Sequence, residues 1–289
     1  MKNDPWEQPP HLPPSDTVRI MVTMIKQLKN MSRREILAFL AALIVLIIWL
    51  VYTPSGLMGK EDAVGYAVCH RIAERSYFLG TRQMPLCSRC TGMYLGAFAG
   101  LIYMARKGRR AGFPPKPMLI VLGIFALFFI VDGVNSFMGV FPALPQLYTP
   151  MNGLRLVTGT MLGILIPAVL VPVFHQTAWT EVDATPILNS WLDLLKLLAI
   201  ALALDIAVLS GIPLLLYPIA FISATTVLAV LTITYSVIWT MVQRKDNKYR
   251  ILREYRFNLL LGFITAVAQI ALLDLIRYSM TGTWEGFIL

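Results

Sequence analysis

Long runs of apolar residues, separated by short polar segments, dominate the pattern of this chain. A membrane-spanning helix needs about 20 mostly apolar residues, because the hydrocarbon layer of a bilayer is about 30 Å thick. Seven segments approach that requirement to different degrees: residues 36–52, 92–104, 118–138, 154–174, 191–209, 212–241 and 257–279. The pattern predicts an all-α fold, a polytopic transmembrane helix bundle of about seven spans.

Two segments precede the first predicted span. Residues 1–15 are rich in proline and polar side chains, which predicts a disordered tail. Residues 16–34 place apolar side chains at helical spacing among basic ones. This pattern predicts an amphipathic helix lying on an anionic membrane face, with packing on the bundle as the alternative. After it we expect a membrane domain at 35–175, with a polar loop at 60–91, and an additional three-helix membrane region at 176–289.

Composition and charge fit an integral membrane protein. The chain is 57% hydrophobic and 14% charged, whereas soluble domains carry about 25% charged residues. Its net charge of +9 gathers in the segments 19–34, 106–116 and 244–256, which share one side if the N-terminus is cytoplasmic. The charge therefore indicates a cell-membrane protein with lipids as partners, and it does not indicate nucleic-acid binding.

One segment breaks this charge pattern. Residues 54–91 lie on the predicted extracytoplasmic side, yet they carry Lys60 and four arginines. All three cysteines of the chain and one of its three histidines lie in the same stretch. The chemistry-bearing residues are Cys69, His70, Arg71, Arg75, Arg82, Cys87, Arg89 and Cys90.

The local pattern predicts how this stretch folds. Residues 60–75 read as one helix, which would place Arg71 and Arg75 on the same face. Residues 77–85 break that helix because they contain glycine and proline. The next helix carries a small-residue row that predicts a close helix-packing face, formed by Gly92, Gly96 and Gly100.

The C-x-x-C pair of Cys87 and Cys90 is the usual half-site of a tetrahedral zinc ion. The remaining ligand would come from Cys69 or His70. Both cannot easily reach one ion from a regular helix, because successive side chains point about 100° apart. Three ligands and an open position would indicate catalysis, whereas four ligands would indicate a structural zinc site.

Two other interpretations of the cysteines stay open. An outward-facing C-x-x-C could cycle between dithiol and disulfide, with Cys69 as the thiol that attacks the bridge. The cysteines could also be inert buried thiols, with the arginines holding lipid phosphates.

The arginines predict an anionic ligand, because guanidinium groups bind phosphate and carboxylate in bidentate fashion. The residues proposed for anion binding are Arg71, Arg75, Arg82, Arg89 and Arg155. Asp132 or Asp274 is the predicted general base, because a buried carboxylate near a metal can have a pKa suited to proton transfer. We expect these polar groups, together with Asp205, to share one outward-facing pocket.

The signature residues resemble a family of bacterial and archaeal membrane proteins that is defined only as a domain of unknown function. The resemblance rests on Cys69-His70-Arg71, Arg75-Ser76, Gly80, Arg82, Pro85-Leu86-Cys87, Arg89-Cys90, Gly92, Tyr94 and Gly96. It extends over about residues 60–165, and includes Asp132-Gly133, Arg155 and Thr158-Gly159. The resemblance implies a genuine site and brings no established reaction.

The leading hypothesis is a zinc-dependent membrane enzyme that acts on a lipid or lipid-linked anionic substrate. The first alternative is a membrane thiol–disulfide redox protein that uses Cys87 and Cys90. The second alternative is a non-enzymatic role, as a zinc-stabilised assembly factor or a transporter.

Overall fold

The computed structural model describes residues 32–141 and 145–287, and the predicted all-α class is confirmed over these ranges. The tail at 1–15 and the amphipathic segment up to residue 31 lie outside the described residues. The last two residues of that segment, Arg33 and Arg34, begin the first described helix. The eight described helices are α1 Arg33–Tyr52, α2 Gly56–Val68, α3 Ser88–Ala105, α4 Lys116–Met138, α5 Asn152–Ala178, α6 Trp191–Leu209, α7 Pro213–Val242 and α8 Leu252–Thr281.

Short strands and one 3-10 turn complete the described structure. Strands β1 (Phe78–Leu79) and β2 (Arg82–Gln83) form an antiparallel hairpin between α2 and α3. Its turn contains Gly80 at φ 64°, a left-handed conformation that glycine adopts without steric cost. Strands β3 (Arg110–Gly112) and β4 (Asp183–Pro186) pair in parallel near the other ends of the helices.

Five of the helices, α1, α4, α5, α7 and α8, are long and apolar enough to cross a membrane. The two other predicted spans form helices α3 and α6, which do not reach this standard. Arg89 lies in the first turn of α3, and α6 carries Asp193, Lys196 and Asp205 along its length. The structure therefore supports five spans by length and composition, and seven spans stay a prediction.

Helices α3 and α5 form the most extensive helix pair. Gly92 and Gly96 of α3 lie against the carbonyl oxygens of Leu156 and Thr160, where a Cβ atom would collide with backbone. The small-residue packing face predicted from the glycine row is confirmed. Because the two helices approach so closely, side chains at their neighbouring ends are held in a fixed relation.

Helix α8 contacts α1, α2 and α7, and thus links the C-terminal region to the signature loop. One buried apolar cluster joins these elements through Trp49, Leu86, Val227 and Ile270. The cluster also contains Cys69 and Cys87. The thiols therefore lie in packed core, not on a freely exposed loop.

Candidate metal centre and anion site

The three cysteine sulfurs lie within 4.8 Å of one another, which is close enough to share one metal ion. Cys69 follows the end of α2, whereas Cys87 and Cys90 lie at the start of α3. Cys69 and Cys87 are buried, and Cys90 is partly buried. The structure therefore joins the C-x-x-C pair to the cysteine that lies 18 residues earlier.

The predicted continuous helix over residues 60–75 is wrong beyond Val68. Cys69 has extended backbone angles, and Arg71 adopts φ 51°, so the chain leaves the helical path. This path lets the Cys69 sulfur accept backbone N–H groups from Arg71 at 3.5 Å and Cys87 at 3.3 Å. A regular helix would have pointed Cys69 along its own surface and kept it from those donors.

The Cys69 sulfur is stabilised as a thiolate. Hydrogen bonds from the Cys87 and Cys90 thiols lower the pKa of Cys69 well below its usual value, although burial opposes the shift. The hydrogen bonds to Cys69, together with burial, raise the pKa of Cys87 to about 12 and that of Cys90 well above its usual value, so the three sulfurs share one negative charge. Thiolate is the form of cysteine that binds metal.

His70 is not a member of the cysteine group. Its Nδ1 atom accepts the backbone N–H of Ile72 at 3.2 Å. Burial lowers the pKa of His70, and nearby arginines lower it further, whereas Cys69 raises it. The geometry therefore favours Cys69 over its neighbour as the third metal ligand.

Arg277 of α8 holds the backbone of the cysteine loop. Its guanidinium donates to the carbonyl oxygens of Tyr66 at 2.7 Å, Cys69 at 2.6 Å and His70 at 3.1 Å. These carbonyl groups lie where α2 stops and would otherwise lose their helical partners. The N–H of Phe287 adds a bond to the His70 oxygen at 3.0 Å. Arg277 thus permits the irregular path that brings Cys69 to the other thiols.

The five arginines predicted to bind an anion divide into two groups. Arg71 and Arg82 both pair with Asp62, one at each carboxylate oxygen, and Arg71 does so at 2.9 Å. Arg71 also donates to the Trp284 carbonyl at 3.2 Å. This first arrangement, the Asp62 group, lies on α2 and the hairpin.

Arg75, Arg89 and Arg155 converge on Ser136 of α4. Arg75 donates to the Ser136 carbonyl at 3.2 Å, and Arg89 donates to its hydroxyl at 2.9 Å. Arg155 approaches the same hydroxyl at 3.4 Å and is 8% exposed. We call this the Ser136 group.

One carboxylate, Asp132, accompanies the Ser136 group. Arg89 binds one of its oxygens through two guanidinium nitrogens, and the Tyr148 hydroxyl donates to the other at 2.8 Å. Three guanidinium groups thus face one carboxylate among the described residues. Because both Asp132 oxygens are engaged, its contacts fit charge balance better than proton abstraction.

The expectation of one shared polar pocket is wrong, because the remaining carboxylates lie elsewhere. Asp274 accepts the indole N–H of Trp49 at 3.0 Å, in a cavity between α1 and α8. Asp205 accepts the Thr160 hydroxyl at 2.6 Å between α5 and α6. A shared end of the bundle does not require a shared site, since each helix buries its polar residue against its own neighbour.

Three residues of the site escaped the sequence reasoning. Ser136 lies four residues after Asp132, so helical spacing could have placed both on one face of α4. Tyr148 comes from the loop between α4 and α5, and no spacing rule links it to Asp132. Arg277 lies at the end of the last predicted span, and nothing local connects it to a loop some 200 residues away.

The comparisons with known proteins match the same part of the chain. The family model described as "Predicted membrane protein (DUF2085)" matches residues 69–170, which include the three cysteines, Ser136 and Arg155. An uncharacterized protein of Methanothermobacter thermautotrophicus is 34% identical over 100 residues, which are 34% of this chain and 78% of the relative. An uncharacterized protein of Methanocaldococcus jannaschii is 27% identical over 120 residues, which are 41% of this chain and 71% of the relative.

No solved structure matches the chain. The share of the Methanothermobacter relative that is covered, together with the family match, confirms the resemblance to an uncharacterised family of membrane proteins. The chain therefore belongs to the DUF2085 family of predicted membrane proteins.

Proposed function

We propose that this protein is a membrane metalloprotein that binds a zinc ion beside a site for an anionic lipid or lipid-linked group. The observation that carries the proposal is the convergence of the Cys69, Cys87 and Cys90 sulfurs within 4.8 Å. The Ser136 group adjoins it in the chain, because Arg89 lies between two of these cysteines.

The ligand set fits zinc. A zinc ion binds thiolate sulfur at about 2.3 Å, so two sulfurs at tetrahedral positions of one ion lie about 3.8 Å apart. Sulfurs that lie within 4.8 Å of one another are near that separation. Three thiolates leave a fourth tetrahedral position for water, substrate or another residue. His70 is the nearest nitrogen donor by sequence, and full Cys69/His70/Cys87/Cys90 ligation stays a prediction.

The Ser136 group fits an anion. Within the described residues Arg75 makes one side-chain hydrogen bond and Arg155 makes two, whereas each guanidinium carries five N–H groups. Burial lowers the pKa of Arg75, and the charge of Arg89 lowers it further, which reflects crowded positive charge. An anionic headgroup would relieve that repulsion and occupy the free donors.

The location follows from the distribution of charge. Basic residues in the segments 106–116 and 244–256 favour the cytoplasmic side for one end of the bundle. The signature loop then lies at the extracytoplasmic face of a bundle of about seven spans. Phosphate-bearing lipid headgroups are the abundant anions at that depth.

An enzymatic role extends this proposal. A zinc ion with an open position would supply a Lewis acid for a phosphoryl or carbonyl oxygen beside the bound anion. Asp132 stays a predicted general base, although its contacts favour a binding role, whereas Asp274 has no part in this site because it lines a separate cavity between α1 and α8. The redox alternative keeps one supporting observation, since the same three thiols are close enough to exchange a disulfide. No contact singles out an assembly factor or a transporter.

The test is the metal content of the full chain, purified in detergent and measured by mass spectrometry. We expect about one zinc per chain, because three thiolates suffice for tight binding. The Cys87→Ser/Cys90→Ser double variant and Cys69→Ser should lose it, whereas His70→Ala should keep it. His70→Ala serves as the matched control, since it alters the same loop without removing a sulfur.

Absence of metal from the wild-type protein after growth with added zinc would overturn the metal proposal. A thiol-trapping gel would then decide for the redox alternative if it shows a Cys87–Cys90 disulfide that forms and breaks with growth conditions. Loss of zinc in His70→Ala, with retention in Cys69→Ser, would reassign the third ligand.

A further inference from the structure

A second candidate site lies between α1 and α8, and none of the three cysteines lines it. A cavity of about 640 Å³ opens there towards the membrane-facing surface. Its walls are mainly apolar and aromatic, and include Trp49, Leu275, Tyr278 and Trp284. Leu275 is 66% exposed, so the cavity is continuous with the surface that would meet lipid chains.

Asp274 is the one carboxylate on this wall, and its hydrogen bonding is incomplete. The side chain is 3% exposed, and Oδ2 accepts the Trp49 indole N–H at 3.0 Å. Oδ1 is buried and has no hydrogen-bond partner within the described ranges. A buried polar atom left without a partner is costly, and the cost is greater where neighbouring groups are apolar. Because Asp274 lines the cavity, a ligand whose polar group reaches Oδ1 would complete the hydrogen bonding of this carboxylate.

The charged residues at the cavity, Asp274 and Lys60, indicate that the ligand is uncharged. A phosphate or carboxylate headgroup would be repelled by Asp274. An ammonium group would be repelled by the positive charge of Lys60, whose Nζ binds the Thr53 hydroxyl at the cavity wall at 2.9 Å. A hydroxyl group donates a hydrogen bond and carries no charge, so it satisfies Oδ1 of the Asp274 carboxylate without being repelled by Lys60.

We infer that this cavity binds an uncharged lipid that carries a hydroxyl group, with its chain between α1 and α8 and its hydroxyl on Asp274. The cavity volume lies in the range of pockets that enclose a drug-sized ligand, and its mix of apolar wall and one polar anchor is typical of them. The site does not depend on the metal, so this inference can be tested independently of the proposed function.

The experiment is photolabelling of the full chain in detergent micelles with a long-chain alcohol that carries a diazirine. Its methyl ether, with the same chain, is the matched ligand that cannot donate a hydrogen bond. We expect the alcohol to label peptides of α1 and α8. Asp274→Leu should reduce that labelling about tenfold, the effect of losing one hydrogen bond to a charged or buried group. The ether should label the wild type and Asp274→Leu equally and weakly.

A second variant distinguishes loss of the site from misfolding of Asp274→Leu. Leu275→Trp fills the cavity from an exposed position and keeps Asp274, so it should block the alcohol and leave the metal content unchanged. Leu214→Ala, on the exposed start of α7, is the control that should label as the wild type does. Equal labelling of wild type and Asp274→Leu by the alcohol, labelling outside α1 and α8, or equal labelling of the wild type by alcohol and ether would each overturn the inference.

Discussion

The two arginine groups differ in a way that their order in the chain conceals. Arg71 and Arg82 belong to the Asp62 group, whereas Arg75 and Arg89 belong to the Ser136 group, so the members alternate along the sequence. The Asp62 group shares one carboxylate between two arginines, and Arg82 is 44% exposed there. The Ser136 group sets three arginines against one fully buried carboxylate. The same residue type therefore has two roles. In the Asp62 group the arginines connect the hairpin to α2, and in the Ser136 group the positive charge exceeds the negative charge of the one carboxylate.

The largest expected difference between the groups is in stability. Arg89→Leu would leave Asp132 buried without its guanidinium, which costs about 3–5 kcal/mol of free energy of unfolding. Arg82→Leu removes a half-exposed partner and should cost about 1 kcal/mol or less. Denaturant titration in mild detergent, followed by tryptophan fluorescence, measures both. Similar losses for the two variants would contradict the distinction between the groups.

The next effect concerns the helix pair that holds the Ser136 group together. Gly92→Ala would drive a Cβ into the Leu156 carbonyl and separate α3 from α5, at a cost of about 1–3 kcal/mol. Because Arg89 and Arg155 lie on these two helices, anion binding should weaken with stability. Gly123→Ala in α4 is the control, since no atom lies within 4 Å of its added Cβ. The same unfolding titration should show no loss for it, and an equal loss would refute close packing as the cause.

The two arginine groups should also differ in their contribution to anion affinity. Arg155→Gln should weaken the binding of phosphatidic acid by about ten- to a hundredfold, because a charge-assisted hydrogen bond contributes about 1.5–3 kcal/mol. Arg82→Gln should leave the affinity unchanged. Native mass spectrometry of the lipid-bound protein gives both dissociation constants, with uncharged diacylglycerol as the reference lipid. If Arg82→Gln weakened phosphatidic acid binding more than Arg155→Gln did, the anion site would belong to the Asp62 group.

The last prediction concerns a dependence of stability on pH next to the Asp62 group. Glu61 is 4% exposed, and burial, with Asp62 second, raises its pKa to about 7. The unfolded chain binds this proton with a pKa of about 4.3, so the folded state holds it more tightly. That contribution is present below about pH 4.3 and is lost as the pH rises to 7, by at most about 1.4 kcal/mol per pH unit.

Glu61→Gln should flatten this pH dependence. Unfolding titrations of wild type and variant between pH 5 and 8 measure the change, with the exposed Glu74→Gln as control. A wild-type protein whose stability rises between pH 5 and 7, relative to Glu61→Gln, would contradict the assignment.

The sequence predicted those features that depend on local pattern. Apolar runs indicated the helices, the glycine row indicated the α3–α5 contact, and the C-x-x-C pair with Cys69 indicated the thiol cluster. Each of these follows from spacing within one element or from residue chemistry alone. Cys69 and His70 could not be separated as ligands, because that choice depends on backbone angles at the end of α2.

Features that depend on tertiary partners were predicted poorly. The helix over residues 60–75 failed because Arg277, far along the chain, supplies donors for the carbonyls that a continued helix would have used. The sequence could not divide the arginines into two groups, because their partners Asp62 and Ser136 lie on other elements. The single polar pocket failed since burial against separate neighbours divides Asp132, Asp205 and Asp274.

Arg277 also bears on how modular this protein is. The region matched by the family ends at residue 170, yet the clamp on the Cys69 carbonyl comes from α8. In this chain the later helices supply support for the cysteine loop that the matched region does not hold within itself. A fragment cut after residue 170 would retain all three cysteines but lose Arg277, which holds the Cys69 carbonyl. Excising the signature region would therefore yield the right ligands without the geometry to use them.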